Sequence, residues 1–353
     1  MRSVNITDVA QRAAVSISTV SRVLNNSAYP VKPETRQRVL EAAQELGFRP
    51  NDLARGLLLK KSRTIGLVIP DISNPYYPEL CLGVETTASE NGYSVIFCNT
   101  DRKAEKMEHY VDVLLQKRAD GIIIAGGGTD FTQVSQALSD FDTKVALIGR
   151  HNLPFPSVQV DNFQAAYEAT SHLGGLGHSR IAFISGPVNL TSAQDRLAGY
   201  RSSLEQRGVS QDDRLIREGN FGVDCGYSAA LSLLQGNPRP SAIFAANDRM
   251  AVGTLAAAHD LDLRVPDDLA VVGFDDTVLA SQIRPSLTSV AVPAHKMGTS
   301  VMRLMLKLLA DEECPQTFWL PTKLVIRQSS GPLSERQEIG HSTLERGWSE
   351  ERS

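Results

Sequence analysis

The chain reads as an α/β protein in which a small helical head, residues 1–49, precedes a body of doubly wound parallel sheet in two lobes. Three observations predict this. Residues 6–25, ITDVAQRAAVSISTVSRVLN, place apolar side chains at helical spacing in two short segments joined by a tight corner. From Thr64 onward, near-continuous Val/Ile/Leu runs alternate with amphipathic stretches, the pattern of strands covered on both faces by helices. Charge is also segregated: residues 1–63 hold eleven Lys/Arg and five Asp/Glu, a net +6, while the remainder holds 25 and 35, a net −10. A basic head on an acidic body points to a polyanion that meets the head alone.

In the head, Thr7 is expected to cap the first helix, with Val9, Ala10 and Ala13 on its inner face, and Ser16 to cap the second. Val20, Val23 and Leu24 form the apolar stripe of that second helix. Ser18, Ser21, Arg22 and Asn25 lie away from the stripe, with groups that reach phosphates or base edges in a major groove. Pro33 opens a third helix, whose face is read as Val39, Leu40, Ala43 and Leu46, and Gly47 closes it. Residues 50–63, PNDLARGLLLKKSR, read as a linker with a basic end.

In the body, the runs IGLVIP, YSVIFCN, DGIIIAG, KVALIGR, RIAFISG, AIFAAN and LAVVGFDD are predicted strands. Helices are expected near 79–91, 103–118, 163–173, 193–207, 224–235 and 248–260. Repeated βαβ units wind into parallel sheets, and a ligand belongs in the crevice at the carboxyl ends of their strands. Residues 331–353 are charged and polar without a leucine heptad and read as a flexible tail.

T-D-V-A at 7–10, V-S at 15–16 and T-V-S-R-V-L-N at 19–25 resemble the helix-turn-helix signature of the LacI/GalR family of transcriptional regulators. The resemblance continues to about residue 330 through S-N-P-Y-Y at 73–77, D-R-L-A-G-Y at 195–200, A-N-D-R-M-A-V-G at 246–253, V-G-F-D-D at 272–276 and R-P-S-L-T-S at 284–289. It implies a core like that of periplasmic sugar-binding proteins over 64–330, serving effector binding and dimerisation. It implies a DNA surface made of Thr7, Ser16, Ile17, Ser18, Thr19, Ser21, Arg22 and Asn25. It also implies that P-N-x-x-A-R-x-L is a hinge helix that forms on DNA, with Arg55 beside it and Leu57 wedged into the minor groove, where an apolar side chain helps to unstack a base step. Leu82 departs from the arginine of the global catabolite-control branch, which favours a local sugar regulator.

Asn74, Tyr76, Tyr77, Arg150, Arg196, Phe221, Asn247 and Asp275 fall at or just after predicted strand ends. Carboxylate, amide and guanidinium groups satisfy vicinal hydroxyls, and rings cover the apolar faces of a sugar. Taken singly, each is also compatible with loop capping or an interlobe salt bridge. By resemblance, Arg196, Asn247 and Asp275 match pocket positions of sugar- and purine-responsive relatives, and Arg196 and Asp275 are expected to clamp a ligand from opposite lobes. Gly149 stands where several sugar-binding relatives carry aspartate, leaving Arg150 without a neighbouring counter-charge, and Val292 replaces a polar residue. The effector is read as a sugar, nucleoside or sugar derivative.

Other chemistry is not visible. Cys81, Cys98, Cys225 and Cys314 are scattered with no C-x-x-C pair, so free thiols are expected rather than a zinc site or disulfides. Gly126, Gly127 and Gly128 lack the Gly-Lys-Ser/Thr ending of a P-loop, and the sequence contains no G-x-S-x-G or H-E-x-x-H. No metal, cofactor or catalytic set is expected, and with no signal peptide or membrane span the reading is a cytoplasmic, nucleoid-associated protein. The function read from the sequence is an allosteric repressor that binds a palindromic operator as a homodimer. The alternative is a transport-type sugar receptor built on the same body.

Overall fold

The computed structural model describes residues 4–24, 29–48, 61–126, 138, 143–151 and 153–331. Two compact units are present, Met1–Arg63 and Thr64–Ser353.

The described residues of the first unit form three helices. Helix α1 (Ile6–Ala13) is capped by Asn5, not Thr7: the Asn5 side chain accepts from the backbone N–H groups of Thr7 and Asp8, and the Asp8 carboxylate accepts from the Asn5 N–H at 2.8 Å. This reciprocal capping box starts the helix two residues earlier than expected and leaves Thr7 exposed on its first turn. Ala14, in the left-handed region at φ 51°, turns the chain into α2 (Ile17–Leu24), and the Ser16 hydroxyl accepts from the Thr19 N–H as expected of its cap. Helix α3 (Pro33–Glu45) begins at the predicted proline and ends where Gly47, at φ +62°, lets the Phe48 N–H reach back to the Ala43 carbonyl. Val9, Ala10, Ala13, Val20, Val23, Val39, Ala42 and Ala43 make the core. Leu40, expected in that core, is exposed, and Ala42 takes its place because the helix crosses its partners on a small-residue face.

Among the described residues, the second unit contains two six-stranded sheets of the same winding. Strands β1 (Thr64–Ile69), β2 (Ser94–Asn99), β3 (Gly121–Ala125), β4 (Lys144–Ile148), β5 (Ser157–Val160) and β11 (Thr317–Leu320) form the first, in the order β11-β5-β4-β3-β1-β2. Strands β6 (Ile181–Ser185), β7 (Ile216–Glu218), β8 (Ala242–Ala245), β9 (Ala270–Asp275), β10 (Thr288–Ala291) and β12 (Lys323–Val325) form the second, in the order β12-β10-β9-β8-β6-β7. Every pairing is parallel except β10 with β12. The strand order reverses between β1 and β3 and again between β6 and β8, which places a crevice at the carboxyl ends of each pair.

Period-two alternation feeds two cores in the first lobe. Ile65, Leu67 and Ile69 face helices α4 (Tyr76–Glu90) and α11 (Ala294–Leu309), whereas Val68, Ile122 and Ile124 face Met107, Val111 and Leu114 of α5 (Ala104–Gln116). Helices α4 and α11 cross almost backbone to backbone, because a Cβ on Gly83 would sit 2.1 Å from the His295 carbonyl and one on Gly298 2.1 Å from that of Leu80. In the second lobe α6 (Asn162–Gly175) packs on α7 (Thr191–Gln206), and α8 (Val223–Leu234) on α9 (Asp248–Asp260), with α10 (Val278–Gln282) following β9. The chain passes between sheets after β5, after β10 and after β11. All seven predicted strands and six predicted helices of the body are present. Strands β5, β7, β10, β11 and β12 and helices α10 and α11 were not foreseen.

Candidate functional site

The carboxyl ends of both sheets open onto one cavity of about 450 Å³. All eight residues picked from the sequence line it: Asn74, Tyr76, Tyr77 and Arg150 from the first lobe, and Arg196, Phe221, Asn247 and Asp275 from the second. Each lies there for a local reason. Asn74 ends the turn after β1, its side chain accepting from the Tyr76 N–H, so both tyrosines emerge on the first turn of α4. Asn247 caps α9 through the Met250 N–H at 2.9 Å and donates to the Phe221 carbonyl at 3.2 Å. That bond holds Phe221 in the left-handed region at φ 66°, with its ring over Gly186, where a Cβ would stand 2.1 Å from the ring. Both Asn247 side-chain atoms are thus engaged by backbone, which makes it a positioning group for the Phe221 loop.

Arg196 is the buried centre of the second-lobe wall. Its Nε donates to Asn162 Oδ1 at 2.9 Å, its Nη1 to the Ala246 carbonyl, and its guanidinium carbon lies 3.6 Å from the Phe274 ring centroid. Asp275 Oδ1 is 3.8 Å away. Burial pushes the Asp275 carboxyl up to about 6 despite Arg196, and burial also holds the Arg196 guanidinium below its usual range despite Asp275. Desolvation therefore outweighs the mutual attraction of this pair. Behind them Asp248 is pushed up to about 8 by burial and then by Asp275, although the Ser289 hydroxyl and the Thr277 N–H and hydroxyl all donate to it. Burial likewise raises Tyr77 to about 12, and Tyr76, whose hydroxyl donates to Met297 Sδ at 3.3 Å, further still. At neutral pH the cavity thus offers two neutral phenols, a carboxylate and a guanidinium, a set that both donates and accepts.

Two sequence expectations fail here. Arg196 (α7) and Asp275 (β9) belong to the same lobe, not to opposite ones, because α7 connects β6 to β7 within the second sheet. Arg150 does not lack a counter-charge: its Nε and Nη2 engage Asp195 of the other lobe at 3.0 and 2.7 Å, and Thr191 Oγ1 donates to its carbonyl at 2.6 Å. The balancing aspartate comes from α7, 45 residues along the chain, rather than from position 149. A second interlobe tie runs from Arg249 Nη1 to Asp71 Oδ2 at 2.9 Å and to Ser73 at 3.3 Å. Ser73 and then Arg249 hold the Asp71 carboxyl below its usual range against the upward push of burial.

Sequence reasoning missed Arg102, Lys103, Asn162, Asn189, Thr191 and Ser192, which also line the cavity. The strand-end rule that found Asn74 would have found Arg102 and Lys103 after β2. Asn162, the first residue of α6, was hidden because β5, the strand just before it, was.

In the head, Ile17 and Ser18 are exposed at the start of α2, and Ser16, Ser18 and Thr19 share hydroxyl contacts of 2.8 and 2.9 Å. Ser21 is half-buried, and Arg22 is exposed with its guanidinium 4.4 Å from the Tyr29 ring centroid. Asn25, Arg55, Leu57 and the 332–353 tail lie outside the described residues. The described residues hold no group of three or more His/Cys/Asp/Glu that could ligate a metal, and no helix among them is long and apolar enough to cross a membrane.

Residues 5–51 match the profile of bacterial regulatory proteins of the lacI family, and residues 170–330 that of a periplasmic binding protein-like domain. Over 334 residues the chain is 40% identical to catabolite control protein A of Priestia megaterium, spanning 93% of this chain and 99% of that protein. The chain belongs to the LacI family. Among solved structures, the Lac repressor dimer bound to operator and the anti-inducer ONPF superposes with a TM-score of 0.86 at 29% identity, covering 94% of this chain and all of that one. The CelR–cellobiose complex, also a transcriptional regulator, gives 0.72 at 32% identity over 92% and 99%. This LacI-family chain is a DNA-binding transcriptional regulator, with the two-lobed periplasmic-binding-protein-like body expected from its motifs.

Proposed function

We propose that this regulator is a repressor that binds a palindromic operator as a homodimer and is controlled by a small polyhydroxylated effector, a sugar or nucleoside, held in the cavity between the lobes. The observation that carries the reading is the cavity itself, where the two lobes contribute buried donors, acceptors and aromatic faces to one enclosure. Its volume falls within the range of about 300–1,000 Å³ usual for small-molecule sites. The cellobiose bound by the similar CelR structure and the operator bound by the Lac repressor dimer support the same pairing of activities. In this reading Ile17, Ser18 and Arg22 face base edges. Thr7, Ser16, Thr19, Ser21 and Asn25 complete the major-groove surface, and Arg55 and Leu57 act at the minor groove. The protein works in the cytoplasm and turns over no substrate.

Coupling follows from the lobes. Arg196, Asp275 and Phe221 contact the effector from one side and Asn74, Tyr76 and Tyr77 from the other, so occupancy favours one interlobe arrangement by the difference in its affinity for the two. Calorimetry against neutral sugars, nucleosides and purine bases tests the site. The expected result is binding of a polyol that Asp275→Ala weakens at least about tenfold, roughly 1.4 kcal/mol. Purine bases alone binding, or unaltered affinity in Asp275→Ala, would overturn it.

A further inference from the structure

Among the described residues, most cations along the cavity stand in ion pairs. Arg196 is matched by Asp275 and Arg150 by Asp195, and Arg249 just outside is matched by Asp71. Arg102 and Lys103 line the cavity as well, and neither forms an ion pair with a described residue. The carboxylates that feel these cations are themselves engaged: Asp101, beside Lys103, by Lys106 and by Asn99 Nδ2 at 2.6 Å, and Asp71 and Asp275, which feel Arg102 at longer range, by Arg249 and Arg196. Glu108, one turn along α5, lines the same wall and has an interaction of its own, and Arg102 and Lys103 face the cavity with no carboxylate of a described residue at ion-pair distance.

The cation is also held in place. Asp101 and Arg102 both sit in the left-handed region, at φ 51° and 60°. The Arg102 N–H donates to the Pro70 carbonyl at 3.1 Å and the Lys103 N–H to Thr100 at 3.0 Å, which ties the turn after β2 to the end of β1. The guanidinium reaches across the cleft to lie 5.1 Å from the Phe221 ring centroid. A ring under the face of a guanidinium leaves its N–H edge free for an acceptor.

We propose that the effector is an anionic carbohydrate, a polyol bearing one carboxylate or phosphate, with that group received by Arg102 and Lys103 and its hydroxyls by the Arg196–Asp275 end of the cavity. The proposal rests on the reading of this cavity as the effector site. Arg102 supplies a planar fork that binds either oxyanion through two N–H groups, and Lys103 a mobile point charge beside it.

The test is calorimetry on the full-length chain with matched pairs: ribose and ribose 5-phosphate, glucose and glucose 6-phosphate, glucose and gluconate. In at least one pair the anionic member should bind about tenfold tighter or better, and rising salt should erode that preference. Arg102→Ala should cut the anionic-over-neutral ratio at least about fivefold, and Arg102→Lys, which keeps the charge but loses the fork, should retain only part of it. A phosphate-only or carboxylate-only preference identifies which oxyanion the site takes. Neutral parents binding as tightly as their anionic derivatives, or a preference that survives Arg102→Ala, would overturn the inference and leave the sugar site standing. Binding by none of these carbohydrates while a nucleoside binds would overturn the inference and leave the cavity reading standing.

Discussion

Replacing Arg196 by methionine preserves much of the side chain's volume and removes its charge, which isolates what the guanidinium does for the fold. The substitution leaves Asp275 buried without the Arg196 cation, and the Ala246 carbonyl and Asn162 Oδ1 without the donors they now have. Removing one partner of a buried pair costs about 3–5 kcal/mol, mainly because the other charge stays desolvated. The cost depends on pH in a direction the structure fixes. Asp275 titrates near 6 in the folded protein against 3.8 for the free side chain. A carboxyl raised on folding stabilises the folded state at low pH, and that contribution is lost as pH rises from 3.8 through 6, at up to about 1.36 kcal/mol per unit. Without Arg196 the folded value rises further and the loss continues above 6. The penalty of Arg196→Met is therefore larger at about pH 7.5, where the wild type holds an ion pair, than at about pH 5, where its carboxyl is already largely protonated. Urea unfolding at both pH values measures it, on the wild type, Arg196→Met, Asp275→Asn and the double variant. The single arginine variant should lose about 3–5 kcal/mol at the higher pH and at least about 1 kcal/mol less at the lower, and adding Asp275→Asn should restore at least about 1 kcal/mol. A penalty independent of pH, or strictly additive variants, would refute the reasoning.

Three further outcomes are expected. Gly298→Ala should destabilise the body by about 1–3 kcal/mol or more and lower its thermal midpoint, because the new methyl meets the Leu80 backbone carbonyl at 2.1 Å and neither helix can part without opening the α4–α11 contact; a neutral effect would mean that the crossing is loose. Exchanging Ile17 and Ser18, both exposed at the start of α2, should change the palindrome recovered from a randomised-site selection, whereas an unchanged consensus would remove that helix from base readout. Leu57→Ala should weaken specific operator binding and reduce DNA bending more than it weakens binding to random DNA, since random DNA is held chiefly through phosphates; equal losses on both would count against a minor-groove wedge.

What the sequence disclosed follows a physical line. Strands buried on both faces announce themselves as unbroken apolar runs, so Ile122–Ile124 or Val271–Val272 could hardly be read otherwise, and the cavity residues follow from being at the ends of such runs. The missed strands are short and mixed in polarity: Ser157–Val160 contains a buried serine and glutamine, and Thr317–Leu320 carries Phe318 and Trp319 exposed at a sheet edge. Only the neighbouring strand makes them strands. Pairings across long separations were invisible for the same reason. Nothing local to Gly149 points to Asp195, and assigning Arg196 and Asp275 to separate lobes ignored that α7 leaves and rejoins a single sheet. The Thr7 cap failed more simply, because Asn5 precedes it and Asp8 completes the box.

If occupancy of the interlobe cavity sets operator affinity, thermodynamic linkage between the two sites reports it. Fluorescence anisotropy on a palindrome selected by the protein itself would be recorded without and with saturating effector, for the wild type and for Asp275→Ala. Effector should change wild-type operator affinity by about 5–150-fold, equivalent to about 1–3 kcal/mol of coupling, and Asp275→Ala should lose most of that change at the same effector concentration. Effector that binds in the cavity while leaving operator affinity the same would contradict it.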